Sequence, residues 1–155
     1  MYPADEFADR IVVITGAASG VGRATALAYG KAGAKLMLLD CNKPGLQSTL
    51  DLLGQSAAGA SYRSLDIGSH AQCRKAIEET AEHYGGIDIL CNVAGIIGFS
   101  PIGGDTPEFW RRHFAVNLDG PFFLSQAALP HLLKSQGNIV NIASSAALIG
   151  ESYST

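Results

Sequence analysis

The sequence predicts an α/β protein built on a doubly wound parallel sheet, strand order 3-2-1-4-5, with helices on both faces. Three observations predict it. Apolar runs and amphipathic stretches alternate along the chain, the pattern of repeated βα units. The apolar runs are continuous rather than alternating, so each strand is buried on both faces, as parallel strands are. A glycine-rich turn, Thr15-Gly16-Ala17-Ala18-Ser19-Gly20-Val21-Gly22, follows the first run Ile11–Ile14 directly, where a strand feeds a helix. Right-handed crossovers then give a Rossmann fold, whose ligands sit beyond the carboxyl ends of the strands at the switch between strands 1 and 4.

The elements follow in order. Strand 1 spans residues 11–15. A helix runs over 20–33, with Ala24, Leu27, Ala28 and Lys31-Ala32 at helical spacing and Gly33 as its stop. Lys35–Asp40 is strand 2. Residues 43–54 form a helix with Leu46, Leu50 and Leu53 on one face, ended by Gly54. Strand 3 is Ser61–Leu65. Ser69 caps a helix that runs to about Tyr84 and stops at Gly85-Gly86. Strand 4 is Ile87–Cys91, and Gly95–Thr106 is a loop. Thr106 caps the next helix, with Pro107 at its first position. Helical pattern continues to about Lys134, bent or re-initiated at Gly120-Pro121. Gly137–Ala143 is strand 5, and the strands that would follow it in such a sheet are missing from this chain.

Composition narrows the function. The chain has 155 residues, 47% hydrophobic and 16% charged, with a net charge of −3. That is one domain, residues 10–155, behind a polar N-terminal extension, residues 1–9. The absence of a basic stripe argues against nucleic acid as partner. No apolar run reaches the roughly 20 residues that span a bilayer, and Met1–Asp9, polar and holding Pro3, does not read as a secretion signal. Cys41, Cys73 and Cys91 form no CxxC pair, which suits reduced thiols in the cytoplasm. His70, His83, His113 and His131 are scattered, so no metal site is expected.

The chemistry gathers at the glycine turn. Gly16 allows the tight turn, Gly20 lets the backbone approach a ligand, and Gly22 lets the helix pack closely on the sheet. The helix start offers free N–H groups and a partial positive charge to a pyrophosphate. Asp40 ends strand 2, 18 residues after Gly22. There a carboxylate can accept hydrogen bonds from the ribose 2′- and 3′-hydroxyls and repel a 2′-phosphate. With no Arg or Lys between Gly16 and Gly22, NAD is favoured over NADP, although Lys43 lies close by. Read without any partner, Asp40 would be a solvated helix cap. Asp66 and Asn92–Gly95 reach the same crevice.

Taken in sequence, these segments resemble the short-chain dehydrogenase/reductase family in its common, non-extended form. Thr15–Gly22 fits the family's TGxxxGxG turn. Leu65-Asp66-Ile67 fits its adenine-contacting segment. Asn92-Val93-Ala94-Gly95 fits NNAG, with Val93 in place of the second Asn. Val116-Asn117-Leu118 fits its helix Asn, and Asn141-Ile142-Ala143-Ser144 the strand that delivers its catalytic Ser. The resemblance spans residues 10–150.

The resemblance implies an NAD-dependent oxidoreductase that transfers a hydride between a nicotinamide cofactor and a secondary alcohol or ketone. It implies that Gly16, Ser19, Gly20, Val21 and Gly22 hold the pyrophosphate. Asp66 would bond the adenine amino group beside the Ile67 backbone; otherwise Asp66 simply forms the turn before Gly68. Asn92, Ala94 and Gly95 would approach ribose and pyrophosphate through backbone atoms. Asn117, in an apolar helical setting, would hold a water in a proton relay, or would be satisfied by a neighbouring backbone. Ser144, preferred to Ser145 as the third residue after Asn141, would bond the substrate oxygen. Ile96-Ile97 and Phe99, in the loop Ile96–Asp105, suggest an apolar substrate wall.

Trp110, Phe114, Phe122, Phe123 and Leu124 exceed what one inward face needs, and the resemblance implies that helices over 107–134 pair subunits into a dimer or tetramer. The family's YxxxK pair does not occur here: Tyr153 is nine residues after Ser144 and no Lys follows it. The expectation is an N-terminal part of a longer enzyme, binding dinucleotide poorly and turning over little on its own. A short, non-catalytic dinucleotide-binding or interaction protein is the alternative. A methyltransferase fits worse, because Thr15 rather than an acidic residue precedes Gly16.

Overall fold

A computed structural model describes residues 6–99 and 103–145. Tyr153 and loop residues 100–102 lie outside the described residues. The sheet has parallel strands in the order β3-β2-β1-β4-β5. These are β1 (Ile11–Thr15), β2 (Lys35–Asp40), β3 (Ala60–Ser64), β4 (Ile89–Asn92) and β5 (Asn138–Asn141). The helices are α1 (Gly20–Lys31), α2 (Lys43–Leu53), α3 (His70–Tyr84), α4 (Pro107–Phe114) and α5 (Gly120–Ser135). This is the expected doubly wound fold.

Side-chain parity along the central strands explains the two helical layers. Successive residues of a strand face opposite sides. Val12, Ile14, Leu36 and Leu38 join Ala26 and Leu46 in one buried cluster, under α1 and α2. Val13, Met37 and Leu39 join Ile77, Leu124 and Leu132 in another, under α3 and α5. Val12, Val13 and Ile14 are completely buried, each worth about 1.5–3 kcal/mol relative to exposure.

The edges depart from the expectation of strands buried on both faces. Residues of β3 are only partly covered, and β5 is mostly exposed along Asn138, Val140 and Asn141. Among the described residues β3 and β5 each have one neighbouring strand, and their polar residues meet less cover than the central strands do.

Strand 4 starts two residues later than expected, at Ile89. The Asp88 carboxylate accepts the Ile11 N–H at 2.9 Å and so takes a place that a ladder bond would fill. Ser69 stands at the start of α3 but makes no side-chain cap. The turn is instead held by Asp66, whose Oδ1 accepts from Gly68 N–H at 2.9 Å. Thr106 does cap α4, accepting from Phe109 N–H at 3.1 Å. The break foreseen at Gly120-Pro121 is a π-helical turn, Ala115–Asp119, that joins α4 to α5.

The aromatic surplus of 107–134 divides in two. Leu124 is fully buried, and Phe123 packs on the core and stacks on His70 with centroids 4.1 Å apart. These two belong to the inward face. Trp110, Phe114, Leu118 and Phe122 form an exposed stripe, each four residues from the last. The N-terminal stretch also touches the domain: Phe7 N–H donates to the Ala32 carbonyl at 3.0 Å, and its ring meets Tyr29 edge-on.

Candidate functional site

A cleft of about 380 Å³ opens at the carboxyl ends of the central strands. Its size falls within the usual range for small-molecule sites. The glycine turn and the start of α1 form its base. Gly16 has φ +68°, and a Cβ there would come within 2.9 Å of the Ala94 backbone. A side chain at Gly22 would run into the Gly16 carbonyl. Gly22 therefore lets α1 close on the turn itself, rather than on the sheet as the sequence suggested. Gly20 has φ +51° and open space where a Cβ would be. Ser19 and Val21 line the cleft beside it.

The turn is fixed from behind by residues the sequence reading passed over. The Thr49 hydroxyl donates to the Ala17 carbonyl at 2.8 Å. The Arg23 guanidinium donates to the Ala18 carbonyl and, at 3.0 Å, to Thr49. Thr15, buried at the end of β1, accepts from the N–H groups of both Val93 and Ala94, at 2.9 and 3.0 Å. Its hydroxyl thus ties the β1 turn to the β4 turn across the switch point. A polar residue closing an apolar strand was the available signal for Thr15. Arg23 offered none.

Asp40 lines the cleft at the end of β2. Its Oδ2 accepts from Ala18 N–H at 3.1 Å and its Oδ1 from Asn42 N–H at 2.8 Å. The carboxylate is anchored to the glycine turn and still faces the cleft. Asp66 and Ile67 form the wall beyond it. Asp66 Oδ2 accepts from Arg112 at 2.7 Å. That hydrogen bond holds the Asp66 carboxyl below the usual carboxylate range, against the smaller opposing effect of partial burial. The same pairing raises the Arg112 guanidinium.

Ala94 and Gly95 line the opposite wall, but Asn92 does not. Asn92 is buried in β4, where its Nδ2 donates to Asn141 Oδ1 at 2.8 Å and to Ser125 at 3.2 Å. Its backbone carbonyl accepts Ile142 N–H at 3.0 Å. Asn92 thus ties β4 to β5 just before Ser144, which stands exposed past the end of β5. Asn117 lies on the π-helical turn and lines a second, smaller hollow of about 260 Å³ with His113 and Phe109. Its amide is satisfied by the backbone of Ile96. Ile96 lines the main cleft, while Ile97 and Phe99 are exposed.

Ten of the eleven residues expected to hold a cofactor therefore border one cleft. Its donor set suits a dinucleotide. The start of α1 borders the cleft, and the N–H groups that a helix start leaves without intrahelical partners match a pyrophosphate. Two carboxylates, Asp40 and Asp66, stand farther along and match hydroxyl and amino donors.

The family model for short chain dehydrogenases matches residues 10–154. Meso-2,3-butanediol dehydrogenase of Serratia marcescens is 38% identical over 145 residues, 94% of this chain and 57% of that protein. Galactitol 2-dehydrogenase of Agrobacterium fabrum is 34% identical over 149 residues, 95% of this chain and 57% of that protein. A solved structure from Brucella melitensis, described as a short-chain dehydrogenase/reductase of glucose/ribitol dehydrogenase type, superposes with a TM-score of 0.90. It is 36% identical, and the match covers 97% of this chain and 61% of that one. The chain thus spans little more than half the length of the curated relatives it matches.

Proposed function

The chain belongs to the short-chain dehydrogenase family, and on that premise we propose that it binds NAD for hydride transfer between the nicotinamide and a secondary alcohol or ketone. The observation that carries this reading is the position of Asp40, anchored to the glycine turn and bordering the same cleft. A fixed carboxylate there accepts from the adenosine ribose hydroxyls and repels a 2′-phosphate, which favours NAD over NADP. Gly16, Ser19, Gly20, Val21 and Gly22 cradle the pyrophosphate. Asp66 and Ile67 face the adenine, and Ala94 and Gly95 border the ribose. Asn92 acts from within the sheet.

A nicotinamide held in this cleft would supply hydride chemistry, as acceptor or donor. Ser144 orients the substrate oxygen, and Asn117 holds a water in the proton relay. A hydroxyl proton must leave with the hydride, and neither residue is a base. Among these 155 residues no Tyr is followed by a Lys in the YxxxK register. In this reading the base comes from outside them, a Tyr whose pKa near 10 is lowered by a neighbouring cation. By their names the two relatives act on butanediol and galactitol, and a small hydroxylated substrate is the corresponding reading here.

The stripe Trp110–Phe114–Leu118–Phe122 is read as a subunit interface. Apolar area of this kind, on two consecutive helices, suits a second copy of the chain. The separated cysteines fit a cytoplasmic setting, and among the described residues no helix is long and apolar enough to cross a membrane.

The test is a titration of the full protein with NADH and NADPH, followed by fluorescence. NADH should bind at least tenfold more tightly, and Asp40→Ala should erase most of that margin. Tighter binding of NADPH by the native protein would overturn the cofactor assignment.

A further inference from the structure

The proposed site holds an ion pair that the role assigned to Asp66 does not require. Arg112, from α4, reaches across to the turn that follows β3 and donates to Asp66 Oδ2 at 2.7 Å. The other oxygen of that carboxylate accepts from Gly68 N–H at 2.9 Å. With both oxygens engaged, the group cannot rotate freely. Each oxygen still keeps an acceptor position, because an ionised carboxylate offers about four. Both partners remain within reach of solvent, with Arg112 and Asp66 side chains 47% and 42% exposed, and both border the cleft.

The surroundings are built for this contact. A Cβ at Gly68 would stand 2.7 Å from the Arg112 guanidinium and 3.4 Å from Ala115 Cβ. One at Gly120 would stand 2.8 Å from the Ile67 carbonyl. Residues 66–68 therefore nest against Arg112, Ala115 and Gly120, on one continuous face of α4, the π-helical turn and α5. An exposed ion pair alone contributes little to stability, so an arrangement this close points to placement of the carboxylate.

Resting on the proposed dinucleotide reading, we propose that Arg112 is a positioning residue for adenine recognition. It locks the Asp66 carboxylate in one orientation, ionised, as a fixed acceptor for the exocyclic amino group. A fixed acceptor discriminates by chemistry. Adenine presents an N–H donor at that position, whereas hypoxanthine presents a carbonyl oxygen, which a carboxylate repels. A carboxylate free to swing away would lose that discrimination.

The experiment compares NADH with its hypoxanthine analogue, both titrated fluorimetrically into the full protein, for the native form, Arg112→Ala, Arg112→Lys and Asp66→Asn. The native protein should prefer NADH by about tenfold, the scale of a hydrogen bond to a charged group. Arg112→Ala and Asp66→Asn should bring the ratio near unity. Arg112→Lys, which keeps the charge without the planar fork, should retain part of it. Thermal melting identifies any variant that has lost its fold, and the ratio is then read from Arg112→Lys and Asp66→Asn. A preference that survives intact in Arg112→Ala overturns the inference while leaving the cofactor reading in place. Failure of the native protein to bind either dinucleotide overturns the cofactor reading itself.

Discussion

Asn117 holds Ile96 at both of its backbone groups. Its Oδ1 accepts the Ile96 N–H at 2.9 Å and its Nδ2 donates to the Ile96 carbonyl at 2.9 Å. The two residues are 21 apart in sequence, and the π-helical turn carries Asn117 at the point of contact. The amide thus secures the start of the loop that leaves β4.

Replacing that amide should release the loop. Asn117→Ala should cost about 1 kcal/mol in chemical denaturation, near the low end for two bonds because water reaches these exposed groups. Amide exchange at Ile96 should accelerate. Asn117→Asp keeps the acceptor and loses the donor, so it should preserve protection at Ile96 N–H. Unchanged exchange in Asn117→Ala would show that the clamp does not hold the loop in solution.

Thr15 makes a sharper case because it is buried. Thr15→Val leaves the Val93 and Ala94 N–H groups without their acceptor and should cost about 2 kcal/mol. Thr15→Ser should cost much less. The urea midpoint measures both, and a Val variant as stable as the native protein would refute the role of the hydroxyl.

Gly22 tests the closure of α1 on its turn. A methyl group there collides with the Gly16 carbonyl, a backbone atom that cannot swing aside. Gly22→Ala should lower stability by about 1–3 kcal/mol and weaken NADH binding at least tenfold. Val21→Ala, at an exposed neighbouring position, serves as the comparison and should leave stability unchanged.

The buried thiols give a pH prediction. Burial pushes Cys73 and Cys91 up from the ordinary value of 9.0 to about 11. Between those values the unfolded chain releases these protons and the folded chain keeps them. Stability from these groups is therefore complete below pH 9 and is lost as pH rises toward 11. A Cys73→Ala/Cys91→Ala variant should lose less stability across that window. At pH 8 a thiol reagent should modify exposed Cys41 quickly and the other two only on unfolding. Equal reactivity of the three would contradict the burial.

Much of this architecture could be read from the chain because it depends on local pattern. β1 and β2 were legible to the residue, as apolar runs with polar or glycine borders. β4 was not, because its start is decided by Asp88, whose partner Ile11 lies 77 residues away. The glycine turn and Asp40 announced themselves by spacing, and Asp66 by its place after strand 3 and the resemblance of Leu65-Asp66-Ile67 to a family segment. Thr15, Arg23 and Arg112 did not. Their work is done through partners distant in sequence, and Arg112 meets Asp66 across 46 residues. Helical periodicity placed 107–134 correctly but could not say which aromatics turn inward, because the inserted π-helical turn shifts the faces.

The bond from Val93 to Thr15 joins residues 78 apart, and that separation bears on how the chain assembles. β1 finds β2 by closing a loop of 24 residues, from Ile11 to Lys35. It finds β4 only by closing 77, from Val12 to Ile89. Longer closures carry a larger entropic cost and slow the search. The first βαβ unit, with its glycine turn, forms as a local event, while the wall that faces it arrives from the far half of the chain. Competence to bind should therefore trail the appearance of helix during refolding, which stopped-flow NADH fluorescence set against far-UV circular dichroism would measure.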